Sequence, residues 1–501
     1  MTASRRAYGL AAAGGVLHFL GFVGYGIWPL ALICLVPLWL ALDGALPRRA
    51  LCIGAVFGWV SYAGGFLWLW PALQVLLDGN AALGAMVWLA DSGWFALRWA
   101  LYAALFAALR RRRWPVAAAG VPSLVVVEWL YPMLFPVYFG HALAERIALI
   151  QIADLGGPLL LTAFLTLLNA AAFELWGWRG GARGRVTLAA AALALLGTWG
   201  YGVARIATID RLAGAGAQLR VGIVQGNLGV QEKGVRAAHD HQRYLEQSRA
   251  LLADGAVDLL IWPETVYSRG LRGPLPISGH PITADLPVPL LFGGAYVDPA
   301  DDRRTTYNAA LLVEPDGVIR RVYRKNLLIP FSEYVPFGDL LPTLAQRLAS
   351  PSHFAAATDV TPLQLGAWRL STPICYEAVR PAFVRRMMRE ARPHLLISLA
   401  NDAWFGDSQE PALHLDMARL RAVEVRRYLV RATNSGISAV IDPVGRDVVR
   451  SAVQHAENLR ATVRMLDEDT VYTRWGDWLG ALCAMAVLFG VLAGRRRPSG
   501  G

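Results

Sequence analysis

The sequence predicts a polytopic α-helical membrane bundle of about eight spans joined to a polar α/β domain. Three observations predict this fold class. Hydrophobic residues make up 55% of the 501 residues and charged residues only 17%, which is too apolar for an ordinary soluble enzyme. The apolar residues are concentrated in the N-terminal part and in one segment near the C-terminus. Between them, short apolar runs alternate with helix-period segments, as in layered α/β domains.

Each predicted span is an apolar run close to the roughly 20 residues that cross a ~30 Å hydrocarbon core. The fourth span contains Asp91 and Arg98, which lie on one helical face and are expected to pair inside the bundle. The eight predicted spans are about 8–25, 28–46, 51–70, 82–109, 115–135, 155–176, 186–205 and 477–494.

The arginines predict the orientation of the chain. Fourteen of them flank the spans on one side if the chain crosses eight times, whereas the short loops opposite contain only Arg146. This positive-inside pattern predicts cytoplasmic termini and an exported polar domain. The formal charge of +11 is therefore attributed to membrane anchoring and not to nucleic-acid binding. The fourteen are Arg5, Arg6, Arg48, Arg49, Arg110, Arg111, Arg112, Arg113, Arg179, Arg183, Arg185, Arg495, Arg496 and Arg497.

These patterns predict four regions along the chain. Residues 1–205 form a transmembrane unit of about seven spans, and residues 206–476 form the exported domain. Residues 477–494 form a closing transmembrane helix, and residues 495–501 are a cytoplasmic tail. The roughly 270 residues of the exported domain suffice for one large core.

Within the exported domain, the alternation of strands and helices follows from local composition. Three helix-period segments lie at about 236–253, 379–392 and 411–427, and the third alternates apolar positions with Arg and Glu at helical spacing. Short runs rich in apolar or β-branched residues are bounded by turn residues and predict strands. The predicted strands are Leu219–Val224, Val257–Trp262, Pro289–Val297, Asn308–Val313, Val318–Tyr323, Leu365–Ile374, Leu395–Leu399 and Ile437–Ile441.

The candidate catalytic residues of this domain lie at the ends of predicted strands. Cys375 is the only cysteine in residues 206–476, so it is either a buried bystander or a reactive nucleophile. Glu264 follows the run that begins at Leu259, and Lys325 follows the run that ends at Tyr323. Strand ends are where parallel or mixed sheets collect their active groups.

The three residue types make chemical sense together. A cysteine attacks acyl carbons as a thiolate, so it needs a base such as Glu264 in a dry pocket. Lys325 beside it would stabilise the thiolate and the oxyanion of a tetrahedral intermediate. Taken singly, Glu264 could cap a helix or lie on the surface, Lys325 could be a solvated charge, and Cys375 a small core residue. The three together, each at a strand end, predict a Glu–Lys–Cys catalytic site.

Six segments of the chain resemble the apolipoprotein N-acyltransferase family, a membrane-embedded bacterial branch of the nitrilase or carbon–nitrogen hydrolase superfamily. The resemblance covers the whole chain and implies a nitrilase-like αββα sandwich for the exported domain. The family usually has a tryptophan where this chain has Lys233-Gly234-Val235. The resembling segments are Val224–Asn227, Leu259–Thr265, Tyr323–Gly338, Thr372–Glu377, Ala400–Gly406 and Arg431–Gly436.

The resemblance implies roles for individual residues. Glu264 corresponds to the proton acceptor, Lys325 to the catalytic lysine and Cys375 to the nucleophile. Three further residues match supporting or substrate-binding positions of the family, and neither a metal nor a cofactor is expected. The supporting residues are Glu333, Tyr376 and Glu377.

The resemblance also implies a function at the bacterial inner membrane, with the catalytic domain in the periplasm. Cys375 would take a fatty acyl group from a phospholipid donor as a thioester. The α-amine of a diacylglyceryl-modified apolipoprotein would then accept that group. The partners are thus two lipid-anchored substrates and the bilayer, with no nucleic acid and a monomeric enzyme. Two segments, 267–288 and 331–350, are expected to form a lipid-facing lid.

Two other functions fit parts of the sequence. A membrane-tethered amidase would hydrolyse a small amide with the same three residues, because water and an amine compete for the same thioester. A transporter or receptor would carry a nitrilase-like domain as an inactive sensor. The many predicted spans favour a lipid acyl donor over a small amide, and the intact Glu264, Lys325 and Cys375 argue against an inactive sensor.

Overall fold

The protein consists of two compact units, which are residues 1–206 with 474–501, and residues 207–473. The computed structural model describes residues 3–22, 25–177, 181–229, 237–283, 286–298, 305–330, 333–334 and 354–493.

The described part of the first unit contains helices joined by short connections and no β-strand. Short 3₁₀ segments at Trp28–Leu32 and Phe139–Leu143 lie between its α-helices. The helices are α1 (Ala3–Gly21), α2 (Leu35–Ala41), α3 (Pro47–Gly65), α4 (Leu69–Leu76), α5 (Ala81–Arg110), α6 (Val116–Leu130), α7 (Ile147–Ile150), α8 (Ala153–Trp176), α9 (Ala182–Ala215) and, near the C-terminus, α15 (Trp478–Ala493).

Three helices of this unit, α5, α8 and α9, are long and apolar enough to cross a membrane. A fourth span is possible if α3 and α4, which meet at a 72° bend, are counted as one. Helix is present at each of the eight predicted spans, but eight crossings are not confirmed. The physical reason is length, since the 15 residues of α6 extend about 22 Å at 1.5 Å per residue, less than a ~30 Å hydrocarbon core.

The predicted pairing of Asp91 with Arg98 is wrong. Arg98 lies 3.6 Å from Glu128 of α6, and both side chains are fully buried. Glu128 also accepts hydrogen bonds from the Phe139 amide at 2.8 Å and the Thr162 hydroxyl at 2.6 Å. Seven-residue spacing places two residues on one helical face, but a neighbouring helix supplied the carboxylate for Arg98 here.

The second unit contains two large β-sheets and a small one. In the first, β15–β1–β2–β5–β6–β8 lie side by side and β3 pairs with β5; in the second, the order is β14–β13–β12–β11–β10–β9; β4 pairs with β7. The strands are β1 (Gln218–Gln225), β2 (Leu259–Ile261), β3 (Tyr267–Arg272), β4 (Ile277–Ser278), β5 (Leu290–Val297), β6 (Thr306–Val313), β7 (Val318–Ile319), β8 (Val322–Arg324), β9 (Leu363–Leu365), β10 (Trp368–Ser371), β11 (Leu395–Ala400), β12 (Leu429–Thr433), β13 (Ala439–Ile441), β14 (Asp447–Arg450) and β15 (Glu457–Arg464).

Helices cover the outer faces of the two large sheets. The helices of this unit are α10 (Ala237–Ala253), α11 (His280–Thr283), α12 (Pro381–Ala391), α13 (Glu410–Val425) and α14 (Val471–Trp475). The central core lies between the sheets, where Ile261 of the first packs in one cluster with Ile397 of the second.

Side-chain alternation along the strands separates the layers. Leu259 and Ile261 of β2 face the core between the sheets, whereas Leu260 and Trp262 pack with α10 on the outer side. Helices α12 and α13 pack on the outer face of the second sheet. A strand buried on both faces reads as a continuous apolar run, as β2 does. The architecture is the nitrilase-like αββα sandwich that the resemblance implied.

The segment 267–288 contains regular structure, and its role as a lipid-facing lid stays a prediction. Tyr267–Arg272 forms β3 and pairs with β5. Ile277–Ser278 pairs with β7, and α11 follows. The other predicted lid segment, 331–350, lies outside the described residues except for Glu333 and Tyr334.

Candidate active site

Cys375 lies on a strained turn after β10. Ile374 forms an isolated parallel bridge with Leu399 of β11, and a 3₁₀ turn, Cys375–Val379, begins at the cysteine itself. Cys375 has φ +50°, a left-handed conformation that costs a non-glycine residue about 1–3 kcal/mol and is concentrated at functional sites. Its side chain is partly exposed. The turn therefore presents the thiol at the carboxyl end of the second sheet.

Glu264 lies beyond the end of β2, at the corresponding edge of the first sheet. Its side chain is buried, and the next residue, Thr265, also has positive φ (+50°). The Glu264 backbone runs very close to Gly293 of β5, where an added Cβ would lie 2.6 Å from the Glu264 Cα. A glycine at 293 is what allows the Glu264 turn to pack against β5.

Lys325 joins Glu264 to Glu333. Its ammonium Nζ lies 3.3 Å from Oε1 of Glu264 and 2.8 Å from Oε1 of Glu333. Asn308 of β6 donates from the same Nδ2 to both carboxylates, at 2.7 Å to Glu264 and 3.0 Å to Glu333. The Ile329 amide donates to the other oxygen of Glu333 at 2.9 Å. One lysine and one amide thus hold two buried carboxylates side by side.

The charges of this cluster reach the thiol. Burial raises the pKa of Cys375 well above its ordinary value, the Glu264 carboxylate adds to this, and the Lys325 ammonium opposes it. Burial acts to lower the pKa of Lys325, but the carboxylates of Glu264 and Glu333 outweigh it and the pKa is raised. At neutral pH the resting site therefore contains a neutral thiol beside a charged lysine, so a base must take the thiol proton before attack.

Glu377 connects the lysine segment to the cysteine turn. It is fully buried and accepts hydrogen bonds from the Asn326 amide at 2.6 Å and the Leu327 amide at 3.0 Å. Its other oxygen accepts from the Ile374 amide at 2.8 Å and the Tyr323 hydroxyl at 2.7 Å. Burial raises the pKa of Glu377 to about 7, although these hydrogen bonds oppose the shift. Glu377 therefore positions Lys325 and Cys375 through the backbone amides of their neighbours Asn326 and Ile374.

Tyr376 lies between Cys375 and Glu377 in the sequence and is buried. Its hydroxyl accepts a hydrogen bond from Nη1 of Arg380 at 3.1 Å. The structure thus places the six predicted residues in two groups: Glu264, Lys325 and Glu333 form one ion-pair cluster, and Cys375, Tyr376 and Glu377 share one turn. The electrostatic coupling of Cys375 to Glu264 and Lys325 joins the two groups.

A second buried polar cluster lies beside the cysteine turn and was not predicted from the sequence. Asp402 follows β11, and its carboxylate lies 2.7 Å from Arg431 and 3.1 Å from Nδ1 of His414. His414 also lies 3.4 Å from Glu410. An added Cβ at Gly436 would lie 2.1 Å from Asp402, so only glycine fits there. Two features of the sequence could have indicated this cluster. Polar residues directly follow β11, and Glu410 and His414 have the i, i+4 spacing that places them on one helical face.

The ligand atoms of Asp402, Glu410 and His414 lie within 4.8 Å of one another, a spacing at which a metal ion could bind, whereas the sequence predicted no metal. The charge next to Asp402 is already balanced by protein. Burial acts to raise the pKa of Asp402, but the Arg431 guanidinium and His414 outweigh it and hold that pKa below its ordinary value. The cluster therefore fits an internal ion-pair network better than a cation site.

Asn434 ties the two sheets together next to the site. Its backbone oxygen accepts from the Asn227 amide at 2.8 Å, and its side-chain oxygen accepts from the Leu228 amide at 2.9 Å. Its Nδ2 donates to the side-chain oxygen of Asn401 at 3.1 Å. These contacts link the segments that follow β1, β11 and β12, and so join the first sheet to the second at the edge that holds the site.

Two known families match the chain. The carbon-nitrogen hydrolase family matches residues 220–465, which correspond to the two-sheet unit. The family described as the apolipoprotein N-acyltransferase N-terminal domain matches residues 14–171, within the helical unit. The sheets and the strand-end site therefore define a carbon–nitrogen hydrolase domain that is joined to a helical membrane unit.

Relatives of full length share both units. A Pseudomonas putida protein named apolipoprotein N-acyltransferase is 32% identical over 97% of this chain and 96% of its own length. One of the same name from Azotobacter vinelandii is 33% identical over 97% and 95%. The crystal structure of Saccharomyces cerevisiae Nit3, of the nitrilase superfamily, is 18% identical with a TM-score of 0.39, covering 51% of this chain and 93% of that one. The chain belongs to the apolipoprotein N-acyltransferase family.

Proposed function

We propose that the protein transfers a fatty acyl group from a membrane phospholipid, through a Cys375 thioester, to the α-amino group of the N-terminal S-diacylglyceryl cysteine of apolipoproteins. The observation that carries the proposal is the position of Cys375 on its positive-φ turn, together with the 3.3 Å ion pair of Glu264 and Lys325, whose charges act on the thiol. The names of relatives that match both units support the lipoprotein acceptor. The apolar helices support a lipid acyl donor.

In the first step Glu264 takes the proton of the Cys375 thiol. The sulfur attacks the ester carbonyl of the phospholipid, and the C–S bond forms as the ester C–O bond breaks. Lys325 stabilises the charge on the sulfur and then on the carbonyl oxygen, and Glu264 returns the proton to the leaving lysophospholipid oxygen. The products are an acyl thioester and a lysophospholipid.

In the second step the α-amine of the acceptor attacks the thioester. The C–N bond forms as the C–S bond breaks, and a proton leaves the amine through Glu264 to the sulfur of Cys375. The free thiol is restored, so the cycle is ping-pong and needs neither a metal nor a cofactor. A covalent intermediate divides one difficult transfer into two easier steps.

Three residues support this cycle without reacting. Glu333 shares Lys325 and Asn308 with Glu264, so it fixes the position of the ammonium. Glu377 accepts hydrogen bonds from the amides of Asn326 and Ile374, and so holds the turns that carry Lys325 and Cys375. Tyr376 directly follows the nucleophile on the same turn, and in this proposal it contacts the acyl donor.

The experiment that tests the function is mass spectrometry of the intact purified protein after incubation with phospholipid. The proposal predicts one fatty acyl adduct on Cys375, and its release onto a diacylglyceryl-modified lipopeptide with a free α-amine. An adduct that water removes equally fast with and without the acceptor would favour the membrane-tethered amidase. Absence of any adduct on the folded protein would contradict both enzymatic functions.

We further propose that the protein is a monomer in the bacterial inner membrane, that the chain crosses the bilayer eight times and that residues 206–476 lie in the periplasm. The short helices α2 and α6 would cross as parts of longer apolar segments, with the 3₁₀ segment Trp28–Leu32 extending α2. The arginine asymmetry of the flanking segments supports the orientation.

This topology makes a labelling prediction. In a variant in which Cys52 and Cys375 are replaced by Ser, a cysteine introduced at Asp316, an exposed turn residue of the two-sheet unit, should react with a membrane-impermeant maleimide in cells whose outer membrane alone is permeable. A cysteine at Arg49, an exposed position near the start of α3, should react only after the inner membrane is opened. The reverse order of labelling would contradict the orientation.

A further inference from the structure

The segment that follows β10 is almost wholly buried. Across residues 371–380, all of which the structure describes, only Cys375 and Arg380 are partly exposed. Cys375 begins the 3₁₀ turn, and Arg380 directly follows it and caps α12. The nucleophile and an arginine are thus the two residues of this segment that retain exposed surface.

The Arg380 side chain folds back towards the nucleophile turn. Its Nη1 donates to the Tyr376 hydroxyl at 3.1 Å, and its guanidinium carbon lies 5.6 Å from the centre of the Tyr376 ring. The ring and its hydroxyl hold the guanidinium beside the residue that follows Cys375. An arginine held in this way loses less side-chain entropy when it binds a ligand.

The carboxylates around the thiol would repel an anionic acyl donor unless a cation such as Arg380 binds it. Glu264, Asp402 and Glu333 all act to raise the pKa of Cys375, and the neighbouring Lys325 is engaged by two of those carboxylates. A phospholipid donor brings a negatively charged phosphate close to these carboxylates. Only part of the glycerol backbone separates that phosphate from the ester that is attacked. A planar guanidinium is the protein group best matched to phosphate, which it can bind through two parallel hydrogen bonds.

We propose that Arg380 binds the headgroup phosphate of the acyl donor and so selects phosphate-bearing esters over uncharged esters at Cys375. This inference rests on the proposed function and adds the donor contact to it. Arg380 acts in binding the donor and takes no part in proton transfer. The Tyr376 ring and hydroxyl orient it.

The test compares thioester formation on Cys375 of the full-length protein from two donors with identical acyl chains, phosphatidylethanolamine and diacylglycerol, with no acceptor present. Arg380→Gln should raise the phosphatidylethanolamine concentration that gives half-maximal loading by about tenfold or more, the range expected for a lost charge-assisted contact. Its loading from diacylglycerol should equal that of the wild type. Arg380→Lys keeps the positive charge but cannot form two parallel hydrogen bonds to phosphate. Its half-maximal phosphatidylethanolamine concentration should lie between those of the wild type and Arg380→Gln.

Arg386→Gln is the matched control. Arg386 lies on the same helix α12, forms an exposed ion pair with Glu390 and should leave both donors unaffected. The inference is overturned if Arg380→Gln loads phosphatidylethanolamine with wild-type concentration dependence. It is also overturned if loading from both donors falls equally, because the residue would then only support the turn. A wild-type protein that loads from neither donor would instead refute the proposed function.

Discussion

Cys375→Ala and Cys375→Ser should each lower acyl transfer about a thousandfold or more, because these variants lack the thiolate and a hydroxyl is a far weaker nucleophile without a stronger base. Neither variant should unfold the protein, since the side chain is small and partly exposed. The measurements are the appearance of N-acylated lipopeptide and the mass of the protein after incubation with phospholipid. Both variants should show no acyl adduct.

The matched control is Cys52→Ser. Cys52 is an exposed free cysteine of α3 in the helical unit, and its replacement should change neither the adduct nor the transfer rate. Transfer by Cys375→Ala or Cys375→Ser near the wild-type rate would show that another group carries the acyl chain. A melting temperature far below that of the wild type would assign the loss to folding.

Glu264→Gln and Lys325→Ala should both block formation of the thioester and not only its breakdown. Loss of a general base typically slows a reaction by about 10²–10⁴-fold, and loss of an oxyanion donor raises the barrier by about 2.7–4 kcal/mol. The thiol must lose a proton that its raised pKa holds tightly, so the effect falls on the first step. Loading with phospholipid and no acceptor isolates that step.

Two further variants make this second prediction specific. Lys325→Ala leaves Glu264 and Glu333 buried without their cation, which typically costs about 3–5 kcal/mol of stability, so its melting temperature must be measured and Lys325→Arg compared. Glu333→Gln distinguishes the roles of the two carboxylates. If Glu264 is the base, this variant should still form the thioester, but more slowly than the wild type. Thioester accumulation at the wild-type rate in Glu264→Gln would assign the base elsewhere. The three titrating groups are coupled, so pH profiles report the set and not single residues.

Much of the two-sheet unit was predictable from local sequence. All eight predicted runs contain strand, and the three helix-period segments form α10, α12 and α13. The run predicted at Val318–Tyr323 divides into β7 and β8. Strands β3, β4, β12, β14 and β15 were not predicted. β15 alternates partly buried and exposed positions and pairs with β1 from the far end of the domain, so it depends on a partner distant in sequence.

Helix α13 shows where local patterning fails. Its Arg and Glu positions alternate with apolar ones at helical spacing, a pattern typical of a half-exposed helix, yet every described residue from Glu410 to Val425 except Ala412 and Asp416 is buried. Arg421 and Glu424 pair at 2.5 Å in the interior, and Arg419 reaches Asp447 at 2.7 Å. Spacing along a helix shows which residues share a face, but whether that face meets water or protein depends on what packs against it.

Composition and local order were enough to predict a helical membrane unit, a layered α/β domain and the three strand-end residues Glu264, Lys325 and Cys375, because apolar runs, turn residues and strand ends are local properties. The sandwich class came from the family resemblance. The partners of buried charges were decided only in three dimensions. Arg98 pairs with Glu128, Lys325 bridges to Glu333, and the Asp402 cluster lies beside Cys375. A buried charge is stabilised by whichever opposite charge the packed chain brings within reach, and that neighbour is set by the tertiary fold.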